Sequence, residues 1–441
     1  MRRSDRVQQK SRNEGQGLRL IASLMLAEVV VCLVTDSDTI RAAVVSTVLA
    51  IFLFFAFAQA CLRGQFKVPK ATGATSILLL LFAAGMYGTL LGLVRRNDYY
   101  YLAADVYHWW IELFFVAYIT FVVARHISSA SLIKSIVSIS FILGAVTICF
   151  VILGTLGLTS AGGHMVAAIS IWRLDAGRGF PMLLLLVLVA TFRSKEPLPV
   201  NWRTLRTLAM LLLLVTLFLT LKRAMWLTFV CASMFIVMRK VYLKLALVFA
   251  PIVVVAVLGF VVVYPNAALA LLVRFAQSIT YNPNYTIEDT LGERIQQIVA
   301  LVPYMKNLVG YGFGAQFYTY WPGQNTFGFV HYIHNLYVYT YLQTGIGGVL
   351  SYAAAYWLLL KGLWKQIGSK SDYEWMARGC FAATMAVLVT GLTMNSAHTV
   401  FNGLIFGLGL VIAVSARQRA ASIRRISPPG QNLADAGQTY S

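Results

Sequence analysis

Apolar runs of about twenty residues recur along the whole chain, with almost no charge inside them. About 20 such residues are what an α-helix needs to cross the ~30 Å hydrocarbon core of a bilayer. In lipid, every backbone N–H and C=O must be satisfied within the spanning structure, which leaves helices or closed barrels. A barrel would show short segments of polar/apolar alternation, and these runs do not alternate. The expected fold class is therefore all-α: a polytopic membrane protein of about twelve transmembrane helices, with one long extracytoplasmic loop bearing short helices. Only 12% of the residues are charged, too few to cover a soluble protein of 441 residues. The formal charge of +20 would suggest nucleic acid on a soluble chain. Here it gathers in loops and tails on the cytoplasmic side.

Taken in order, 1–17 is a basic cytoplasmic tail and 18–264 carries transmembrane helices one to nine. Residues 265–334 form the long periplasmic loop, 335–416 carry helices ten to twelve, and 417–441 form a basic, Pro/Gly-containing cytoplasmic tail expected to be disordered. Span three is expected over 75–94, span four from near Tyr107, span five over 134–155, span six over 179–192, span ten over 335–360 and span eleven over 379–396. From Thr207 to Met238 the sequence is apolar except for Lys222-Arg223. One helix of that length would run about 48 Å, so two short spans with Lys222-Arg223 at an outward turn fit the bilayer better. Most Lys and Arg then fall inside, which places both termini in the cytoplasm and the loop in the periplasm. The five cysteines lie in or at the ends of apolar runs and form no paired motif.

Function concentrates between Pro265 and Tyr352, the one long polar stretch between apolar runs. Arg223, at the membrane's outer edge, is suited to clamp a phosphate by paired hydrogen bonds, with Lys222 beside it snorkelling to the headgroups. Arg294 lies in Ile287–Asn307, read as an amphipathic helix whose Ile287, Leu291, Ile295, Ile298 and Val302 share a face. Next comes Gly310-Tyr311-Gly312-Phe313-Gly314, where alternating glycines permit tight turns and close approach. His334 opens span ten, and on a helix His334, Tyr337, Val338, Tyr341, Gly345 and Gly348 fall along one stripe. The small residues of that stripe would let another helix pack closely. His331 lies one turn before His334. No HExxH motif or nearby cysteine turns that pair into a metal site, so no metal ligands are assigned. The aromatics Phe317, Tyr318, Tyr320, Trp321, Phe327, Phe329 and Tyr332 would either stack on a substrate or lie against the interface. No Walker A loop or GxSxG elbow is present.

His334-Asn335, nine residues, then Gly345-x-x-Gly348 resembles the signature of O-antigen ligases. Leu219 to Ala224 resembles that family's membrane-edge arginine motif, with Lys222 and Ala224 where relatives often carry Ser and Gly. Gly292-Glu293-Arg294 through Leu308-Val309-Gly310-Tyr311-Gly312-Phe313-Gly314 looks like its second arginine and following glycine turn. Across about 207–360 the order and spacing are similar to those of the O-antigen ligase/polymerase superfamily. The resemblance implies transfer of a glycan from a polyprenyl-diphosphate carrier to a glycan or lipid acceptor hydroxyl, at the outer face of the bacterial inner membrane. It implies an inverting reaction without metal, nucleotide or other cofactor, in contact with membrane lipids and other polysaccharide assembly proteins but no nucleic acid. Arg223 and Arg294 would face the diphosphate and His334 the acceptor hydroxyl, with Lys222, Asn335, Tyr311, His331 and Tyr337 lining the substrate. Two other readings stand beside it: a lipid-linked oligosaccharide transporter without catalysis, and a metal-dependent transferase using Asp36 and Asp38. His398, between the last two spans, is a further candidate to line a site.

Overall fold

The computed structural model describes residues 72–118, 129–156, 163–166, 171–174, 180–191, 199–219, 228–233, 291–321, 326–331, 333, 335–368, 373–392, 406–410 and 412. The two tails, spans one, two and nine, Asp36-Ser37-Asp38, the Lys222-Arg223 turn, His334 and His398 lie outside them. The described residues are mostly helical: α1 Thr72–Val94, α2 Tyr99–Tyr118, α3 Ser129–Thr155, α4 Phe180–Thr191, α5 Val200–Leu219, α6 Leu291–Leu301, α7 Leu336–Trp364 and α8 Glu374–Thr390. Two antiparallel hairpins complete them, β1 Gly163–Val166 with β2 Ile171–Leu174, and β3 Phe317–Trp321 with β4 Thr326–Val330.

Among the described residues, four helical stretches are long and apolar enough to cross a membrane: Thr75–Val94, Ile133–Gly154, Val200–Leu217 and Leu336–Trp364. On α1, Leu79, Phe82 and Leu90 are exposed while Ile77, Leu81 and Ala84 are buried. A helix apolar on its outer face as well as its inner one is built for lipid rather than water. The inner faces close through glycines. Gly85 of α1 lies under the Trp109 ring of α2, and the Trp109 indole N–H donates to the Leu81 carbonyl at 3.1 Å. Gly144 of α3 meets Leu212 of α5, and Gly379 of α8 meets Val187 and Ala190 of α4. Without a hydrophobic driving force between helices in lipid, such close backbone approach supplies the packing.

Several boundaries differ from expectation. Helix α2 begins at Tyr99, eight residues before the expected start, because Asp98 caps it: its Oδ1 accepts from the Tyr100 amide at 2.9 Å, and its carbonyl accepts from the Leu102 amide at 2.8 Å. Tyr99, Tyr100 and Tyr101 therefore belong to the helix. Helix α5 begins at Val200, since the Pro199 carbonyl accepts from the Trp202 and Arg203 amides. Arg203 and Arg206 thus ride on the helix, and Arg206 reaches the Thr191 carbonyl at 3.0 Å. Neither hairpin was expected: the first lies between the expected spans five and six, and the second in the long loop expected to bear short helices.

The insert between 291 and 333 has its own small core of Leu301, Ala315, Phe317 and Ile333, closed by Val338, Tyr339 and Leu342 of α7. The expected face of the amphipathic helix is corrected here. Gln297 and Leu301 are buried, whereas Val302 is exposed, because the helix ends at Leu301 and Pro303 turns the chain into a 3-10 turn at Tyr304–Lys306.

Candidate active site

The glycine turn sits inside a break in α7. Gly345 has φ 64°, ψ −169° and interrupts the helix. The turn fills that gap: the Tyr311 amide donates to the Leu342 carbonyl at 2.7 Å, the Gly312 amide donates to Gln343 at 2.9 Å, and the Ile346 amide donates to Leu308 at 3.0 Å. Gly310, Gly312 and Gly314 all have positive φ, at 87°, 83° and 78°. A side chain at these positions would be strained and would also meet backbone, from Gly345, Gly92 and Leu102 respectively. So Gly345 admits a loop and not another helix, which corrects the expected packing stripe. Gly348, for its part, lies against Thr344 of its own helix. On the far side, the Phe313 ring covers Gly88 of α1, the Phe313 amide donates to the Gly88 carbonyl at 2.9 Å, and Asn97 Nδ2 donates to the Tyr311 and Phe313 carbonyls at 2.8 Å each.

One carboxylate ties this assembly together. Asp105, on α2 and 7% exposed, accepts from the Gly314 amide at 2.8 Å and from Gln343 Nε2 at 2.5 Å through Oδ2. Its Oδ1 accepts from the Tyr339 hydroxyl at 2.6 Å and lies 3.1 Å from His331 Nε2. The other ring nitrogen of His331, Nδ1, lies 3.1 Å from the Ala315 carbonyl, and the ring stacks on Tyr101 with centroids 4.6 Å apart. The Tyr339 proton is directed at Asp105, so toward Nε2, 3.1 Å away, its oxygen is an acceptor. Both nitrogens of His331 therefore face acceptors, an arrangement only the imidazolium satisfies. Burial works against that charge, but the Asp105 hydrogen bond and charge, the Ala315 carbonyl and the more distant Asp98 outweigh it, and the His331 pKa is raised. A histidine held this way is a fixed cation and a poor proton acceptor.

The sequence candidates divide as follows. His331 joins the Asp105 cluster. The Tyr311 ring packs edge-on to Tyr304 and Phe317, under the Arg95 guanidinium at 5.0 Å, a cation–π contact. Asn335 and Tyr337 anchor the head of α7 to the end of α8. Asn335 caps α7, with Oδ1 accepting from the Val338 amide at 3.0 Å and Nδ2 donating to Leu392 at 2.9 Å; the Tyr337 hydroxyl donates to Leu388 at 2.6 Å. Arg294 lies on α6. Arg223, Lys222 and His334 lie outside the described residues. Asp105 was missed by sequence reasoning, although an acid inside an otherwise apolar helix is itself a signal, since such charges are costly and mark function.

Comparison with known families gives one result: residues 208–353, about a third of the 441, match the family model of O-antigen ligases. No curated protein matches the chain. The matched segment holds both arginines, the glycine turn, the helix break and the His334-Asn335 pair; this third of the chain is similar to O-antigen ligases, which supports a place in the O-antigen ligase/polymerase superfamily, and the four apolar helices of spanning length among the described residues fit a membrane protein.

Proposed function

We propose that the protein is a glycosyltransferase of bacterial surface polysaccharide assembly, working at the periplasmic face of the inner membrane. It moves a glycan from a polyprenyl-diphosphate carrier to an acceptor hydroxyl, either on a lipid or on a growing carrier-linked chain. The observation that carries this reading is the family match over 208–353, which contains every residue assigned to the chemistry. The acceptor oxygen attacks the anomeric carbon, the bond from that carbon to the diphosphate breaks with inversion, and His334 takes the acceptor proton. Arg223 and Arg294 neutralise the charge that develops on the departing diphosphate, the task that a metal ion performs in other transferases.

Transport is the second reading, and the break in α7 is the feature that favours it, since discontinuous helices bind ions and substrates in transporters. In this chain, however, the Leu342 and Gln343 carbonyls at the break already accept from the glycine turn, which favours an anchoring use of the break. A deletion strain tests both. Accumulated long carrier-linked chains identify a ligase, surface glycan capped at single repeats identifies a polymerase, and vesicles that translocate carrier-linked glycan without a new glycosidic bond would replace the reading with transport. Arg294→Ala and His334→Ala are expected to abolish transfer, and chelator to leave it intact. Transfer retained in Arg294→Ala and lost in Asp36→Ala/Asp38→Ala would overturn the arginine mechanism.

A further inference from the structure

His331 and Asp105 have no part in the bond-making steps above, yet with Gly314, Tyr339 and Gln343 they form a buried polar cluster. Donors from three stretches of chain meet on Asp105: Gly314 from the glycine turn, His331 from the end of β4, and Tyr339 and Gln343 from α7. Two of those stretches flank His334. His331 stands three positions before it, and Asn335, which caps α7, directly follows it. Ile333, between them, is fully buried. The described residues on either side of His334 in the sequence are thus both held, His331 by a charged hydrogen bond and Asn335 by its cap on α7.

We propose that Asp105 is a positioning residue for glycan transfer: by holding His331 as an imidazolium, it ties the end of β4 to α2 and α7 three positions before His334 in the sequence. The inference rests on the transfer reading. The groups facing the His331 ring are Asp105 and Tyr101 of α2, Tyr339 of α7 and the Ala315 carbonyl, with Asp98 acting at longer range. When the imidazolium loses its proton, one ring nitrogen turns a lone pair toward an acceptor and one anchor is lost. Transfer should therefore fall at alkaline pH through His331, while an acidic fall belongs to His334.

The experiment measures transfer rate against pH with full-length protein in membranes of the deletion strain, which carry its own lipid-linked glycan. Asp105→Asn keeps the shape of the side chain and removes the counter-charge. It should move the alkaline limb to lower pH and cut the rate near neutrality at least tenfold, with little change in KM for donor. His331→Gln should abolish that limb. Tyr339→Phe, which removes one donor to Asp105, should shift it less than Asp105→Asn. If Asp105→Asn lowers only the yield or the thermal midpoint and leaves the alkaline limb where it was, Asp105 is structural and the proposal is overturned. If Asp105→Asn does not accumulate, His331→Gln decides alone: an alkaline limb that persists in it overturns the proposal. A wild type that transfers nothing, with His334→Ala indistinguishable from it, would overturn the transfer reading itself.

Discussion

Four donors on one buried carboxylate, one of them cationic, make Asp105 expensive to alter. Removing one partner of a buried, hydrogen-bonded ion pair leaves the other charge uncompensated and costs about 3–5 kcal/mol. Asp105→Ala should therefore lower the denaturation midpoint of the purified protein more than any substitution at the exposed Lys306, as followed by thermal unfolding in detergent. The pH dependence has a defined sign. The folded-state pKa of His331 is raised, so its contribution to stability is fully present below about pH 6.5, the unfolded value, and is lost as pH climbs through the folded value. The midpoint should fall over that alkaline window in the wild type and fall less in His331→Gln; equal slopes would show that the ion pair is not the titrating element. Little of this was legible in the sequence. The partners of Asp105 lie more than 200 positions away from it, and Asp105 itself reads as one polar residue before an aromatic cluster. His331 was visible as a candidate, but its charge state depends on acceptors that only folding supplies.

Elements were easier to read where bilayer physics sets their length, and harder where tertiary contacts set their ends. The runs at 75–94, 134–155 and 335–360 were visible as apolar stretches, and their helices follow within a few residues. Helix α2 starts early because of a local cap, and the break in α7 is invisible to periodicity because Gly345-Ile346-Gly347-Gly348 also suits a packed helix. Gly345→Ala tests the break. It forces an L residue into the left-handed region, at about 1–2 kcal/mol, and drives its β-carbon into the backbone at Leu308 and Val309. The expected result is release of the glycine turn, read as faster proteolysis at exposed Leu308–Val309; an unchanged cleavage rate would mean that the turn holds without the break. The β3–β4 hairpin makes a second element-scale case. Its register pairs Tyr318 with Phe329 and Tyr320 with Phe327 on one face, leaving Phe317 and Thr319 on the other. Phe317 is 1% exposed and Phe329 is 67% exposed. Phe317→Ala should cost about 3–5 kcal/mol, whereas Phe329→Ala should stay within about 0.5 kcal/mol, both followed by unfolding midpoint. Two aromatic runs flanking Pro322-Gly323 were the signal for this hairpin, and strand alternation would have sorted the aromatics in advance.

At the scale of the molecule, the polar assembly gathers at one end of the helices. The end of α1, the start of α2, the glycine turn and the first half of α7 converge there, joined by Asn97, Asp105 and the α7 break. Lys306 belongs to that end, since the neighbouring Met305 carbonyl accepts from the Tyr341 hydroxyl at 2.7 Å. Lys365 follows the last residue of α7, at the opposite end. Helix α7 has 29 residues, which at about 1.5 Å each give a length of about 43 Å, enough to separate those two lysines across a bilayer even with a bend at Gly345. The proposed periplasmic position of the insert, argued from the bias of Lys and Arg toward the cytoplasm, makes the two lysines report on opposite compartments. With a membrane-impermeant maleimide on intact spheroplasts, Lys306→Cys should label and Lys365→Cys should label only after permeabilisation. The reverse pattern would turn the molecule over and put the reaction in the cytoplasm. Labelling of both in intact cells would mean that α7 does not cross the membrane, leaving the Asp105 cluster intact as a structural unit and removing the reason to place lipid-linked chemistry beside it.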